Sequence, residues 1–233
     1  MAEYGFQLSV FDEIDRGGRR SVRTISRDEA IPFILGIHYA RRMPSVSHSF
    51  GLFDGERLIG VVTFGLPASP SLCNGIAGKE NAHNVLELNR LVLLPECSGN
   101  NNASFLVSHA LRMLPNHTFV VSYADTAWSH VGYVYQATNF LYTGMSANRT
   151  DVYKPGGGHT RHTENLDKTK RQTRSAKHRY VYLVGTKRQK REMIRELRYP
   201  VLSRYPKGDE TRYDTDNPKV IIPTVVYDKH TNK

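Results

Sequence analysis

Alternating and continuous runs of apolar residues predict most of the regular structure. The β-rich runs Ser49–Phe53 and Leu58–Phe64 flank Asp54-Gly55, a pairing typical of a β-hairpin. Apolar residues recur with helical spacing along Ala103–Leu114, and Pro115 ends that predicted helix. The other predicted elements are a short helix opened by the capping box Ser26–Glu29, strands at Val85–Leu94, Thr118–Tyr123, Phe140–Gly144 and Arg179–Val184, a short helix at Ser129–Asn139, and a basic helix at Lys187–Leu197. Helices and strands alternate, which predicts an α/β sheet with mixed strand directions.

Three segments lack such a pattern. Pro67–Asn84 contains glycine, proline and asparagine and is predicted to be a loop. Lys154–Lys177 is poor in apolar residues and contains three consecutive glycines, which predicts a mobile arm. The residues from Tyr199 onward contain four prolines and are predicted to form an extended, wrapping tail.

The charge is placed very unevenly. The chain has 233 residues and a formal net charge of +10. Residues 1–150 contain 12 basic and 12 acidic side chains, whereas residues 151–233 contain 20 and 10. We therefore predict a catalytic core over residues 1–150 and a basic region over residues 151–233 that completes the fold and binds a polyanion. The alternative is a basic surface that serves only solubility.

Composition excludes several classes of protein. The 39% of hydrophobic residues can bury a core, which argues against global disorder. No apolar run reaches the roughly 18 residues of a membrane helix, and the first residues do not resemble a secretory signal. Cys73 and Cys97 cannot form a disulfide framework or a cysteine-rich zinc site, so we expect two unpaired thiols. The expectation is a cytoplasmic protein without membrane contact.

A strand–turn–helix unit spans residues 85–114. A strand that ends in a Gly/Asn turn and opens a helix presents free backbone N–H groups, together with the positive end of the helix dipole. Such a unit suits a phosphate group, although many α/β proteins contain one.

Several short motifs, taken in order, resemble the phage Mom family of DNA-modification proteins. They are His38-Tyr39 with the basic loop to His48, SFGLFDGERLIGVVTFG, LELNRLVL with SGNNNAS, SYADTAWSHVGYVYQATNF, and KHRYVYLVGTKRQKREM. The resemblance covers about residues 35–200. It implies a GNAT-like acyltransferase fold, with a mixed, mostly antiparallel central sheet flanked by helices and a basic C-terminal extension. It also implies transfer of a carbamoylmethyl group to N6 of adenine in DNA, which protects the DNA from restriction in the bacterial host.

Three residues are predicted to be catalytic. Asp125 ends the strand SYAD, where a carboxylate shielded by Tyr123 and Trp128 could have a raised pKa and deprotonate the adenine amine. A helix N-cap is the alternative role for Asp125. The resemblance places Tyr39 and Tyr135 in the active site, where a phenol can orient a carboxylate, relay a proton or donate to an oxyanion; packing is the alternative for each.

Donor-binding residues are expected on the strand–turn–helix unit. Arg90, a lone arginine in an apolar strand, is assigned to the donor, with an ion pair to Glu87 or Glu96 as the alternative. The turn keeps a single glycine, unlike the pyrophosphate loops of ordinary CoA acetyltransferases, but asparagine tolerates left-handed backbone. The predicted donor contacts are Ser98, Gly99, Asn100 and Ser104. Ser104 could equally cap the helix.

Other side chains are predicted to contact the DNA. Trp128, the only tryptophan, is expected to stack on a flipped-out adenine, with core packing as the alternative. The predicted phosphate contacts of the basic helix and of the loop before His48 are Lys187, Arg188, Lys190, Arg191 and Arg42. His38 and His48 could together bind Fe(II), although surface or capping histidines are the simpler explanation.

The donor has two candidate identities. The family product is bonded through its CH₂ group, which simple acetyl transfer does not produce. One route transfers glycine from an aminoacyl-tRNA and rearranges the adduct; the other uses iron to activate the methyl group of acetyl-CoA. The expected partners are double-stranded DNA, tRNA in the first route, and a second copy of the chain in a homodimer. The competing functions are an acyltransferase for a protein or small-molecule amine and a non-enzymatic nucleic-acid-binding protein.

Overall fold

The computed structural model describes residues 20–147, 149–154, 166–167, 169–208 and 225–227. The helices and strands are β1 (Arg20–Thr24), α1 (Arg27–Pro32), β2 (His48–Asp54), β3 (Arg57–Gly65), α2 (Pro70–Asn81), β4 (Val85–Leu93), α3 (Asn102–Arg112), β5 (Thr118–Asp125), α4 (Tyr133–Ala137), β6 (Leu141–Met145), β7 (Arg149–Val152), β8 (Lys170–Arg174), β9 (Lys177–Val184), α5 (Lys187–Glu196) and β10 (Val225–Tyr227). A mostly antiparallel central sheet is flanked by helices, which confirms the predicted fold class.

The chain forms two compact units. The first comprises the chain through Val120 together with Leu183–Arg198, and the second comprises Val121–Tyr182 together with the chain from Tyr199. The strands β5 and β9 each run from one unit into the other. The helix α5, predicted as part of the basic C-terminal region, therefore belongs to the first unit; the assignment of residues 151–233 to DNA binding stays a prediction.

The first unit is built on four antiparallel strands in the order β1-β2-β3-β4. The predicted hairpin is confirmed, because Asp54 pairs with Arg57 across the turn. In the β3–β4 pair, Thr63 faces Arg90 and Phe64 faces Leu88, so Asn89 is the extra residue of a β-bulge. A bulge bends its strand and redirects neighbouring side chains, and here it lies beside one of the predicted donor-binding residues.

Burial of apolar side chains stabilises the first unit. The helix α3 presents its apolar stripe to the strands β2, β3 and β4, as its spacing predicted. A second part of the core lies under α1, whose capping box at Ser26 is confirmed. The buried members of that part are Ile25, Ala30, Phe33, Ile34, Val61 and Val92. Each fully buried aliphatic or aromatic side chain contributes about 1.5–3 kcal/mol.

The loop predicted over Pro67–Asn84 is wrong, because α2 forms there. The Ser69 hydroxyl accepts a hydrogen bond from the Leu72 N–H, and Pro70 occupies the first turn. Cys73, Ile76 and Ala77 are buried. Tertiary burial outweighs the low helix propensity of the glycines in this segment.

The second unit contains β6 paired with β9, and a three-stranded sheet in the order β10-β8-β7. The mobile arm predicted for Lys154–Lys177 is wrong at Lys170–Arg174, which is the strand β8. Polar cross-strand contacts replace an apolar face: Arg171 Nε donates to the Thr150 hydroxyl at 2.8 Å, and Arg174 lies 3.7 Å from Asp151. Residues 155–165 and 168 of the predicted arm lie outside the described residues.

Residues 199–208 of the predicted tail lie in the second unit and bond to its other segments, whereas Val225–Tyr227 form the strand β10, and residues 209–224 and 228–233 lie outside the described residues. Leu202 N–H donates to the Tyr142 carbonyl, the Tyr205 hydroxyl donates to the Phe140 carbonyl, and the Tyr133 hydroxyl donates to the Gly208 carbonyl. The predicted helix over Ser129–Asn139 is shorter than expected, because Ser129 and Gly132 have positive φ and α4 begins only after them.

Candidate functional site

One candidate cluster of the first unit forms around Arg90, on β4. Its guanidinium donates from Nη2 to the Arg42 carbonyl at 2.8 Å and from Nη1 to the Asn89 carbonyl. Among the described residues, the buried Nε–H of Arg90 has no hydrogen-bond acceptor. A buried donor without an acceptor costs free energy and suits a ligand oxygen. We call His38, Tyr39, Arg42, Asn89 and Arg90 the Arg90 cluster.

His38 follows a π-helical turn (Phe33–Ile37) and is partly buried in this cluster. Burial, reinforced by the nearby Arg90 charge, lowers the pKa of His38 from 6.5 to about 4. Its Nδ1 accepts the Ala40 N–H at 3.0 Å, and its ring stacks on Tyr39 at 4.3 Å between centroids. The imidazole is therefore neutral near pH 7, and Tyr39 is 46% exposed beside it.

The bulge residue Asn89 fixes the loop of this cluster. Its Oδ1 accepts the Thr63 hydroxyl at 2.6 Å, and its Nδ2 donates to the Ser45 carbonyl at 2.7 Å. Gly65 permits this approach, since a Cβ at that position would lie 1.9 Å from the Ser45 oxygen. Sequence reasoning missed Asn89, although a polar residue inside the apolar run LELNRLVL was a signal that could have indicated it.

The predicted donor turn is confirmed as a turn that opens a helix. Asn100 and Asn101 have φ of 55° and 57°, the left-handed conformation expected for asparagine. Arg20 Nη1 donates to the Asn100 carbonyl at 2.9 Å and to Asn102 Oδ1 at 2.8 Å, which places a cation beside the turn. A Cβ added at Gly99 would meet open space. The Asn102 N–H donates to the Gly99 carbonyl at 3.1 Å, whereas the next N–H groups of α3 have no partner inside the helix and can donate to a phosphate.

The predicted donor contacts Ser98 and Ser104 make local hydrogen bonds, and their role in donor binding stays a prediction. The Ser104 hydroxyl donates to the Asn101 carbonyl at 3.0 Å, and the helix N-cap is Asn101 without a side-chain cap bond. Glu96 pairs with Arg57 at 2.6 Å, so the alternative ion pair from Glu96 to Arg90 does not form. Ser98 lies in the turn itself, where its N–H donates to the Pro95 carbonyl.

The second candidate cluster lies in the second unit, around Asp125 at the end of β5. Its Oδ1 accepts the Ser175 hydroxyl at 2.5 Å and the Ala127 N–H at 3.0 Å. Its Oδ2 accepts the Lys177 ammonium. The N–H of His130 donates to the Asp125 carbonyl at 3.2 Å. We call Asp125, Ala127, His130, Ser175 and Lys177 the Asp125 cluster.

The pKa of Asp125 shifts in the direction opposite to the one predicted. Burial raises the pKa of Asp125, but the bonds from Lys177, Ser175 and the Ala127 N–H, together with the Lys177 charge, lower it below 3.8 overall. The predicted rise is therefore wrong: Tyr123 and Trp128 do not leave the carboxylate in apolar surroundings. Asp125 also caps the 3₁₀ turn Thr126–Trp128, as its alternative role foresaw.

Sequence reasoning missed Ser175 and Lys177. Both lie in the segment that was predicted to be mobile, about fifty positions after Asp125. Two polar residues at i and i+2 before an apolar strand point to one side of an extended chain, and this spacing was a signal that could have indicated them.

The remaining predicted residues, Trp128, Tyr135 and the basic side chains of α5, lie in different elements of the fold. Trp128 is half-buried in the turn after Asp125, and the Tyr135 ring packs 5.3 Å from the rings of Phe140 and Tyr180. Of the basic helix, Lys187, Arg188 and Arg191 are exposed and Lys190 is partly buried. The structure brings His38, Tyr39, Arg42 and Arg90 together in the first unit, and Asp125 and Trp128 lie along one short turn in the second.

No structural support exists for iron at His38 and His48. Across the ranges described, the side chains form no group of three or more histidine, cysteine or acidic residues that could hold a metal ion. His48 stacks on Phe50 at the start of β2. Both cysteines are free thiols, and within the described part of the chain no helix combines the length and apolar character needed to cross a membrane.

Comparisons with known proteins show the family of this chain. The model of the Mom protein family matches residues 19–207. The methylcarbamoylase mom of Escherichia phage Mu is 33% identical over 128 residues, which are 53% of this chain and 53% of the relative, so the match spans about half of each.

Solved structures of low sequence identity align with most of this chain. A GNAT-family acetyltransferase from Bacillus cereus ATCC 10987 is 14% identical, with 71% of this chain and 98% of that chain covered and a TM-score of 0.41. The ribosomal-protein-S18-alanine N-acetyltransferase from Escherichia coli is 8% identical, with 72% and 95% covered and a TM-score of 0.43.

Proposed function

Because this chain belongs to the Mom protein family, we propose that it is a transferase that modifies adenine in DNA at N6. The curated relative is named a methylcarbamoylase, and we assign the same class of product, a carbamoylmethyl group, to this chain. Protection of phage DNA against restriction in the bacterial cytoplasm would be the biological result.

The Asp125 cluster is the observation that carries this proposal. The adenine amine is a poor nucleophile, because its lone pair is delocalised into the ring, and it gains positive charge as it attacks. An ionised carboxylate that is largely shielded from water stabilises this charge and accepts the N–H hydrogen. The lowered pKa of Asp125 keeps the carboxylate charged at neutral pH, so its role is chiefly electrostatic.

The covalent step assigned to this cluster is acyl transfer. In the route that begins with an activated ester or thioester, N6 forms a bond to the donor carbonyl carbon while the carbon–oxygen or carbon–sulfur bond of the donor breaks. The N6 proton passes through Asp125 to the departing oxygen or sulfur, which leaves as the alcohol or thiol. When the transferred group is glycyl, its free amine then attacks C6 and the C6–N6 bond breaks. The glycine nitrogen becomes the new N6, and the former N6 becomes the carboxamide nitrogen of the carbamoylmethyl group.

The Arg90 cluster and the donor turn fit an acyl-CoA. The left-handed asparagines, the first N–H groups of α3 and the adjacent Arg20 would hold its pyrophosphate. The Arg90 Nε–H, which has no acceptor among the described residues, would donate to the acyl carbonyl oxygen. When bound, acyl-CoA supplies an activated carbonyl carbon. The structure adds nothing that favours glycyl-tRNA, and a homodimer also stays a prediction.

The exposed basic side chains of α5 would bind the DNA backbone. Lys187, Arg191 and Arg195 are exposed, whereas Arg188 is partly neutralised by Glu192 at 3.1 Å. Such contacts position DNA without reading its sequence and weaken as salt increases. Trp128 remains our candidate for stacking on the extruded adenine.

Mass spectrometry of nucleosides from cells that express the full chain tests the proposal. We expect a new modified adenosine, and Asp125→Ala should reduce it about 1000-fold or more. The matched control is Asp151→Asn, which removes another ion-paired carboxylate of the second unit and should leave the product unchanged. Unmodified DNA together with acylated protein would favour an acyltransferase for protein amines, and the absence of any product would favour a non-enzymatic nucleic-acid-binding protein.

A further inference from the structure

Two side chains from one short segment converge on both oxygens of Asp125. Ser175 donates to Oδ1, and Lys177 donates to Oδ2, so the carboxylate is held in one rotational position. The Asp125 side chain is 15% exposed and that of Lys177 is 35% exposed. This convergence brings residues about fifty positions apart onto one carboxylate that the proposed function places at the reacting amine.

Hydrogen bonds to the backbone of Ala176 and Lys177 already fix the segment Ser175–Lys177, independently of the Ser175 and Lys177 side chains. The Thr126 N–H and hydroxyl both donate to the Ala176 carbonyl, at 3.3 Å and 2.7 Å. On the other side, the Lys177 N–H donates to the Ser146 hydroxyl at 2.9 Å, and the Ser146 N–H donates to the Lys177 carbonyl at 2.8 Å. Because a largely buried ion pair is in any case a poor source of stability, fixing the chain does not explain Ser175 and Lys177.

The arrangement leaves one oxygen able to accept another hydrogen bond. Oδ1 takes two donors, the Ser175 hydroxyl and the Ala127 N–H. Oδ2 takes Lys177 alone among the donors that the described residues supply. A carboxylate oxygen accepts two hydrogen bonds, so Oδ2 presents the acceptor position to which an amine N–H would donate.

We propose that Lys177 and Ser175 are positioning residues for Asp125, which hold its carboxylate ionised and direct Oδ2 toward the amine of the acceptor substrate. This inference rests on the proposed function for the identity of that amine. It assigns to the segment Ser175–Lys177 a role in the acceptor half of the site.

The surrounding charges agree with this role. Of the titratable groups in the described part of the chain, Lys177 on β9 and His130 after the 3₁₀ turn interact with Asp125. Burial lowers the pKa of His130, and Lys177 lowers it further against the opposing effect of Asp125, so His130 adds no second cation. Lys177 supplies the main contact that lowers the pKa of Asp125. Without Lys177, burial would raise that pKa with less opposition.

The test compares Lys177→Met, Lys177→Arg and Ser175→Ala in the full chain, with modified adenosine measured across a pH series. We expect Lys177→Met to lower the rate about 10- to 100-fold at neutral pH and to move the acid limb of the pH–rate profile upward, so that raising the pH recovers part of the loss. Lys177→Arg should retain most of the rate. Ser175→Ala should show a smaller loss and a smaller shift in the same direction.

A control variant and an NMR titration separate a positioning role of Lys177 from a general effect of removing a lysine. Lys170→Met removes an exposed lysine 3.7 Å from Asp167 and should change neither the rate nor the profile. Titration of the Asp125 carboxyl carbon by NMR should show a higher pKa in Lys177→Met than in the original chain. An unchanged titration, or an equal rate loss at every pH, would overturn the inference. If the original chain makes no modified adenosine, the proposed function fails, and the NMR titration alone decides whether Lys177 holds Asp125 ionised.

Discussion

The Arg90 cluster and the Asp125 cluster are built from opposite kinds of contact. In the Arg90 cluster, the charged group is bound by backbone carbonyls, the Glu87 carboxylate acts on it electrostatically, and its Nε–H has no acceptor among the described residues. In the Asp125 cluster, the charged group is neutralised by another side chain from a distant part of the sequence. The first arrangement suits an electron-rich oxygen of a donor, and the second suits a nucleophile that becomes positive.

The two clusters also differ in how titration affects them. Burial, reinforced by the charge of Arg90, lowers the pKa of His38 and keeps it neutral, whereas the contacts from Lys177 and Ser175 lower the pKa of Asp125 against burial and keep it ionised. Burial and a cation therefore act together on His38 and in opposition on Asp125. The two clusters should respond separately to mutation, and three changes in the first unit examine this expectation.

Arg90→Lys should have the largest effect. Lysine cannot donate simultaneously to the Asn89 and Arg42 carbonyls and still present an Nε–H. We expect adenine modification to fall about 100-fold, a loss of roughly 2.7 kcal/mol of transition-state stabilisation, chiefly through a higher KM for the donor. Steady-state kinetics with varied donor would measure it. The acid limb assigned to Asp125 should not move; a shifted limb would show that the clusters are coupled.

Gly65→Ala should have an intermediate effect, on stability. The new methyl group would lie 1.9 Å from the Ser45 oxygen, and overpacking of this kind costs about 1–3 kcal/mol. Chemical denaturation would measure the loss. Gly36→Ala is the matched control, because its Cβ meets nothing within 4 Å. Equal free energies of unfolding for the two variants would contradict the close contact between Gly65 and the Ser45 carbonyl. The titration of Asp125 should be unchanged in both variants.

His38→Asn should have the smallest effect, on the pH dependence of stability. In the folded chain the pKa of His38 is about 4, below its ordinary value of 6.5. As the pH falls from 6.5 to 4, the unfolded chain therefore binds a proton at His38 before the folded chain does. The folded chain loses stability over this pH range. Between pH 7 and pH 4, the free energy of unfolding should fall by about 1 kcal/mol less in the variant than in the original chain. This value allows for solvent screening of a partly exposed group. Denaturation at several pH values would show it, with exposed His83→Asn as control; parallel curves for all three proteins would refute it.

The sequence predicted the members of the Arg90 cluster better than those of the Asp125 cluster. His38 and Arg42 lie in one loop and Arg90 interrupts an apolar strand, so local pattern indicated these three, whereas the family resemblance indicated Tyr39 and nothing indicated Asn89. Ser175 and Lys177 follow a polar segment with no apolar periodicity. They follow the strand β8, which has no apolar residue and pairs with β7 through polar side-chain contacts, so hydropathy gives little sign of it.

Local sequence determined the capping boxes of α1 and α5, the hairpin turn, the strands β4, β5 and β9, and the left-handed asparagines before α3, because each depends on backbone preferences or periodic burial within a few residues. Only the tertiary structure decided that α2 forms, that Asn89 is a bulge residue, and that the pKa of Asp125 falls. These features depend on which distant groups share a buried site. The energy of a charge in such a site is set by partners that its own stretch of chain does not contain.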